Sequence, residues 1–237
     1  METDPTRMCQ ILVDLPEVDV LGVEPAVSGS PLVVHVSCQA DWQRDCPACG
    51  TRGWVKQRPV VRLTDLPVFG TPTVLAWHKI RRSCPNAGCL TGSWTTSDQR
   101  IASPRSTVTQ RAGRWLTEQV GRYRRAVSAV AQELGCDWHT VNDTVIGYGQ
   151  QLVDDPDRIG QVHAIGMDET LFHRHGTYRT QRWATTFADV SGHRLIDIAE
   201  GKDAESVIGW LEQRPQSWLE AIGVGTLDMA SSYRAIY

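Results

Sequence analysis

Four of the seven cysteines in this 237-residue chain stand at metal-ligand spacing, and nothing else in the sequence restricts its folding as much. Cys46-Pro-Ala-Cys49-Gly and Cys84-Pro-Asn-Ala-Gly-Cys89 are two knuckles, tight turns helped by Pro and Gly that each aim two thiolates at one point. Two such turns complete a tetrahedral shell suited to a structural Zn2+. A rubredoxin-like iron site uses the same kind of ligands. The thirty-four residues between the knuckles must leave and return, so the apolar runs Trp54–Leu63 and Thr73–Ile80 are expected to form an inserted hairpin. Cys9, Cys38 and Cys136 have no neighbour at such spacing and read as ordinary thiols.

Cysteines used this way point to a cytoplasmic protein rather than a disulfide-stapled secreted one. No stretch approaches the ~20 apolar residues of a membrane span. The start, METDPTRMCQ, lacks the basic and apolar regions of a signal peptide. No membrane partner is expected.

The formal charge of −3 conceals a strong asymmetry. Residues 44–125 hold fifteen Lys and Arg against four acids, residues 1–43 one against seven, and residues 126–237 eight against sixteen. A basic middle segment is the electrostatic footprint of phosphate contact. Its bland counterpart is a solvated basic face without a partner. Trp54, Trp77 and Trp94 lie in this segment and are candidates for DNA contact, although tryptophans more often pack.

The periodicity divides the chain further. Residues 1–43 read as a β-rich lead-in, with Pro31–Ser37 as a strand, and residues 44–100 as the zinc-binding module. Residues 101–153 turn helical, with Val108, Trp115, Leu116, Val120 and Tyr123 supplying an apolar face. Arg125–Gly135 reads as a short helix stopped by glycine, Cys136-Asp137 as a turn, and Trp138–Ile146 as a second helix. That is a helix-turn-helix layout, whose second helix would enter the major groove. His139, Thr140 and Asn142 would face the bases, and Arg81, Arg82, Arg111, Arg114, Arg122, Arg124 and Arg125 would meet phosphates.

Residues 160–237 are strand-like at first. Val162–Asp168 is an apolar run ending in a carboxylate, Tyr178–Val190 and His193–Ile198 flank a Ser191-Gly192 turn, Asp203–Arg214 is helical, and Val224–Asp228 is a second run ending in a carboxylate. Carboxylates on adjacent strand ends can hold two divalent ions ~3.5–4 Å apart. Two aspartates alone are better read as strand-end caps or turn formers. His163, His173 and His175 flank Asp168 without any metalloprotease motif, and polar residues of an exposed hairpin account for them.

Taken in order, the acidic strand, hairpin, helix and second acidic strand match the start of a ribonuclease H-like core. The whole chain from about residue 10 resembles an insertion-sequence transposase of the IS-L-three family. The likeness rests on Cys46–Gly50, Arg62-Leu-Thr-Asp-Leu-Pro67, Arg81–Cys89, Ile165-Gly-Met-Asp168-Glu-Thr, Phe187-Ala-Asp-Val190 and Thr226-Leu-Asp228-Met with Tyr233. It implies a DDE transposase binding double-stranded DNA at terminal inverted repeats and target sites, as a homo-oligomer or with intact transposase subunits. It also implies two Mg2+ or Mn2+ ions, with Asp168 and Asp228 as the first two acids. The third acid of such sites has no counterpart here, Tyr237 following Asp228 by nine residues. The expectation is therefore a multidomain α+β chain with a small zinc-binding module, a helix-turn-helix segment and an incomplete α/β ribonuclease H-like domain. It would bind DNA and lose most or all cleavage. A non-catalytic regulator derived from a truncated transposase is the other reading.

Overall fold

The computed structural model describes residues 1–2, 4–15, 17–27, 29–38 and 43–227. They form two compact units, Met1–Gln151 and Leu152–Tyr237. Asp228 and Tyr233 lie outside the described residues.

The first unit begins with helix α1 (Pro5–Val13) and strands β1 (Val18–Glu24) and β2 (Leu32–Cys38). Then come β3 (Trp54–Gln57), β4 (Val60–Val68), β5 (Thr71–His78), β6 (Arg81–Ser83) and β7 (Ser93–Thr95). Two sheets result, ordered β1-β2-β5-β4 and β3-β6-β7. Strand β5 is the middle of the larger one, antiparallel to β4 and parallel to β2. Its Thr73, Leu75, Ala76 and Trp77 are all buried, and such a strand needs partners on both edges. The N-terminal strands provide one of them, so residues from both sides of position 43 share a sheet. The expected hairpin between the knuckles exists as β4 and β5, while Trp54–Gln57 belongs to the smaller sheet. Val34, Val36, Leu63, Leu75 and Trp77 pack with Val13, Val18, Ile101 and Ala102 as the core.

Helices α2 (Gln110–Gly121), α3 (Val127–Leu134) and α4 (Trp138–Val153) follow. Helix α2 is N-capped by the Thr109 hydroxyl, which accepts from the Ala112 N–H. Val108, Ala112 and Leu116 pack with Val130, Ala131, Leu134 and Val141, the repeat of apolar residues at helical spacing that the sequence displays. Leu66 of β4 packs on the same cluster.

The second unit holds a 3-10 turn (Pro156–Arg158), strands β8 (Ala164–His175), β9 (Thr180–Asp189) and β10 (Arg194–Glu200), helices α5 (Ala204–Leu211) and α6 (Gln216–Glu220), and strand β11 (Val224–Leu227). The sheet order is β10-β9-β8-β11, with β11 parallel to β8 and the other pairs antiparallel. Its core joins Ile165, Met167, Phe187 and Ile196 of the sheet to Val207, Trp210 and Trp218 of the helices. The Phe187 and Trp210 rings stack 3.9 Å apart. No helix among the described residues is long and apolar enough to cross a membrane.

Candidate metal centre and nucleic-acid interface

The two knuckles are built on the smaller sheet. An isolated bridge pairs Asp45 with Arg52, and within it the Cys46 N–H donates to the Thr51 carbonyl and the Gly50 N–H to the Cys46 carbonyl, both at 2.9 Å. The second knuckle closes the β6–β7 hairpin: the Cys84 N–H donates to the Gly92 carbonyl at 2.9 Å and the Cys89 N–H to the Asn86 carbonyl at 3.0 Å. The four sulfurs all lie within 4.8 Å of one another, with Cys46 to Cys89 at 3.7 Å and Cys49 to Cys84 at 3.5 Å. Zn–S bonds of ~2.3 Å in a tetrahedron require sulfur separations near 3.8 Å, so the donor set and its spacing fit Zn2+. Among the described residues it is the one group of three or more His, Cys, Asp or Glu side chains close enough to hold an ion.

The thiols are unequal. Hydrogen bonds from the Thr51 side chain and backbone lower Cys49 to about 6, while desolvation and the neighbouring thiols push Cys84 up to about 12. A bound dication removes that difference by making every ligand a thiolate.

The arginines named from the sequence divide into fastened and free ones. Arg111 is fastened: its guanidinium pairs with both oxygens of the buried Asp65 and donates to the Val13 carbonyl. Asp65 also accepts from the Thr109 hydroxyl at 2.6 Å, so a single buried carboxylate ties α2 to β4. Arg82 is buried at 6% exposure between β3 and β7, in register with Val55 and Trp94. Arg81 is half-buried and donates to Gln57 and Ser93. Arg125 bonds Gln119 and Glu133, and Arg122 forms an exposed pair with Glu118. Arg114 and Arg124 are exposed, Arg124 in the left-handed region at φ 57°. Asp65 is the residue that the basic-segment reading missed, and its signal was its place in Arg62-Leu-Thr-Asp-Leu-Pro67. Trp77 is only 2% exposed, whereas Trp54 is open to solvent.

Helices α3 and α4 meet through a three-residue turn. Gly135 sits at φ +67°, and a Cβ there would lie 2.7 Å from Pro72, so both conformation and space call for glycine. Asp137 caps α4, accepting from the Thr140 N–H and hydroxyl, each at 2.8 Å. Those bonds hold its carboxyl below the usual range. Thr140 is thereby engaged within its own helix. His139 is exposed and Asn142 half-buried. His139, Thr140 and Asp143 line a polar cleft of about 490 Å³ with Ser103, Arg105 and Gln110. Helix α4 contains no Lys or Arg, so cationic side chains beside its cleft come from other segments, Arg105 among them.

In the second unit Asp168 ends the buried half of β8. Ile165 and Met167 face the core, and Asp168 is exposed on the opposite sheet face. Gly166 shares that face: a Cβ there would stand 3.0 Å from Val190 and 3.1 Å from Thr226, so the neighbouring strands can close up beside it. The Asp168 carboxylate accepts from the Glu169 N–H at 2.9 Å, and its carbonyl accepts from the Thr186 hydroxyl at 3.1 Å. Parallel pairing of β8 and β11 sets Met167 opposite Leu227. Asp168 and Asp228 are the residues that follow these two in the sequence. His163 lies against the Ala221 carbonyl, away from His173 and His175, whose rings are 6.2 Å apart.

Residues 165–237 match the family model described as transposase, that of the DDE transposases of the IS-L-three group. No curated protein matches the chain.

Proposed function

We propose that this chain, whose residues 165–237 match the IS-L-three transposase model, is a transposase of that family that recognises element ends with its first unit and contributes two metal-binding carboxylates with its second. The observation that carries the reading is the β8–β11 register. Met167 of β8 lies opposite Leu227 of β11 in strands that run the same way, and in the sequence each is followed by an aspartate, Asp168 and Asp228. The sheet order supports a ribonuclease H-like core, since a parallel strand beside the first strand of an antiparallel meander is what such a core begins with. Bound Mg2+ or Mn2+ would activate the attacking oxygen and stabilise the leaving oxygen of phosphodiester displacement. The chain's own part is to orient the Asp168 carboxylate, which Gly166 and the buried Ile165 and Met167 do by fixing β8 in the sheet.

For the first unit the reading is a zinc-stapled helix-turn-helix. Helix α4 would present His139 and Asn142 to base edges, while Arg114, Arg122 and Arg124 meet phosphates. Zinc in this arrangement is structural: four thiolates leave no open coordination position for chemistry.

A second reading is DNA binding without cleavage: the two knuckles and helices α3 and α4 all lie in the first unit and need none of the acids of the second. The two readings separate in one experiment on the full chain with duplex carrying candidate element ends. Binding at two salt concentrations should show affinity falling steeply as salt rises, because several phosphates are neutralised. Salt-independent or absent binding would sink both. Magnesium-dependent cleavage removed by Asp168→Ala would select the catalytic reading, and binding without cleavage the regulatory one.

A further inference from the structure

The β8–β9 hairpin carries more than the turn needs. From Leu171 to Arg182 it holds Arg174, Arg179 and Arg182, His173 and His175, and the aromatics Phe172 and Tyr178, with no acid. The rest of residues 152–237 has thirteen acids against five basic residues. The hairpin is thus a basic, aromatic prong on an otherwise acidic unit. Phe172 is 70% exposed and Tyr178 95%.

A β-bulge decides where these residues point. Asp168 pairs with Thr186 and Thr170 with Ala184, but the register slips between Leu171 and His173, so that Phe172 is the extra residue and His173 pairs with Arg182. An unbroken strand would carry Phe172 and Arg174 on the face of Asp168. The extra residue exchanges them for His173 and His175, a re-aiming that bulges commonly perform. His173, His175 and Arg182 therefore continue the sheet face on which Asp168 lies. Together with Phe172, Ile198 and Glu200 they line a cleft of about 470 Å³. Four residues of strand separate Phe172 from Asp168, roughly 13 Å at ~3.3 Å per residue. About four nucleotides at ~3.4 Å each span that length.

Charge selects the occupant. Arg182 pairs with Glu200 at 2.6 Å, but both side chains are more than half exposed, and such a pair is easily exchanged for a phosphate. Arg174 and Arg179 have no acidic partner among the described residues. Aromatic faces beside cations are the platform on which unpaired bases stack.

We propose that this cleft is a nucleotide subsite. It takes an unpaired nucleotide of the DNA strand whose phosphodiester lies at Asp168, stacking the base on Phe172 and meeting the adjoining phosphate with Arg182. The proposal rests on the transposase reading of Asp168 and adds to it that the end is held frayed rather than as intact duplex.

The test uses the full chain, a blunt duplex, and the same duplex with a short unpaired overhang containing 2-aminopurine. Fluorescence anisotropy gives affinities, and 2-aminopurine emission reports stacking. The overhang should bind about tenfold tighter than the blunt end, within the range of one stacked base. Phe172→Ala should abolish that preference and restore the emission, Phe172→Trp should retain both effects, and Arg182→Ala should flatten the salt dependence of overhang binding. Phe172 is solvent-exposed, and unchanged near-UV dichroism of the variants shows that the fold is kept. Equal affinity for the two DNAs, with Phe172→Ala inert and blunt duplex still bound, would overturn the subsite and leave the transposase reading standing. Loss of binding to both DNAs by the unmodified chain would overturn both. Preference for an RNA overhang over DNA would also overturn the subsite as a DNA site.

Discussion

Arg111 and Asp65 show how much one residue's surroundings alter its role. A guanidinium in a basic segment is expected to face DNA, yet this one satisfies a carboxylate that is 1% exposed. Arg111→Ala should cost about 2–3 kcal/mol, near the lower end for breaking a buried pair because the arginine side chain is itself 31% exposed. Arg111→Lys should recover only part of this, since an ammonium lacks the two-pronged geometry. Urea unfolding checks both, and DNA affinity at full occupancy of the folded state should be unchanged. Arg124→Ala is the counterpart, neutral in stability and weaker in DNA binding. In the second unit, Asp197 accepts from the Trp210 indole at 2.7 Å and pairs with Arg158 at 2.9 Å. Asp197→Ala leaves both donors without their acceptor and should destabilise that unit by about 2 kcal/mol, read from tryptophan fluorescence during unfolding.

At the scale of elements, the α3–α4 turn and the two knuckles are the places where short sequence settles geometry. Gly135→Ala should destabilise the helical cluster by about 1–2 kcal/mol through its left-handed backbone, with the approach to Pro72 adding to it. Melting temperature and DNA affinity would fall together, because α4 is oriented by that turn. Asp137→Ala should lower the melting temperature by removing the cap of α4. The turn was legible in the sequence, glycine ending one helix and an acid beginning the next. The β8 bulge was not, because alternation of residue types through Leu171-Phe-His-Arg-His175 has no break that marks an insertion. Only the partner strand defines it. The apolar side chains left open on the second unit, Val190, Leu195, Ile198 and Val224, are each at least 41% exposed. Concentration-dependent association of the chain, measured by light scattering, is the expected outcome.

The whole molecule consists of two units with different means of support. The first has a four-cysteine cluster that fits zinc; with zinc bound there, a strong chelator should strip one ion per chain and expose residues 44–95 to proteolysis while the second unit keeps its protection. Cys84→Ser should do the same without chelator. Both units share an acid limb. Asp137 is held low by Thr140, Asp189 by the Gly192 N–H and Arg194, and Asp203 by Ser206. Carboxyls lowered on folding contribute stability above their unfolded value of about 3.9 and lose it as pH falls through the folded value. Urea midpoints should therefore be level from about pH 5 to 7 and drop below about pH 4. The sequence by itself determined most elements and which four cysteines come together, because helical period, strand alternation and Cys-x-x-Cys spacing are local properties that survive without a partner. Tertiary structure alone decided which strands share a sheet, that β2 completes the sheet of β4 and β5, that Arg111 turns inward, and that a bulge brings His173 and His175 onto the face of Asp168. Those outcomes depend on which buried polar groups and strand edges find partners far along the chain, and no local pattern encodes them.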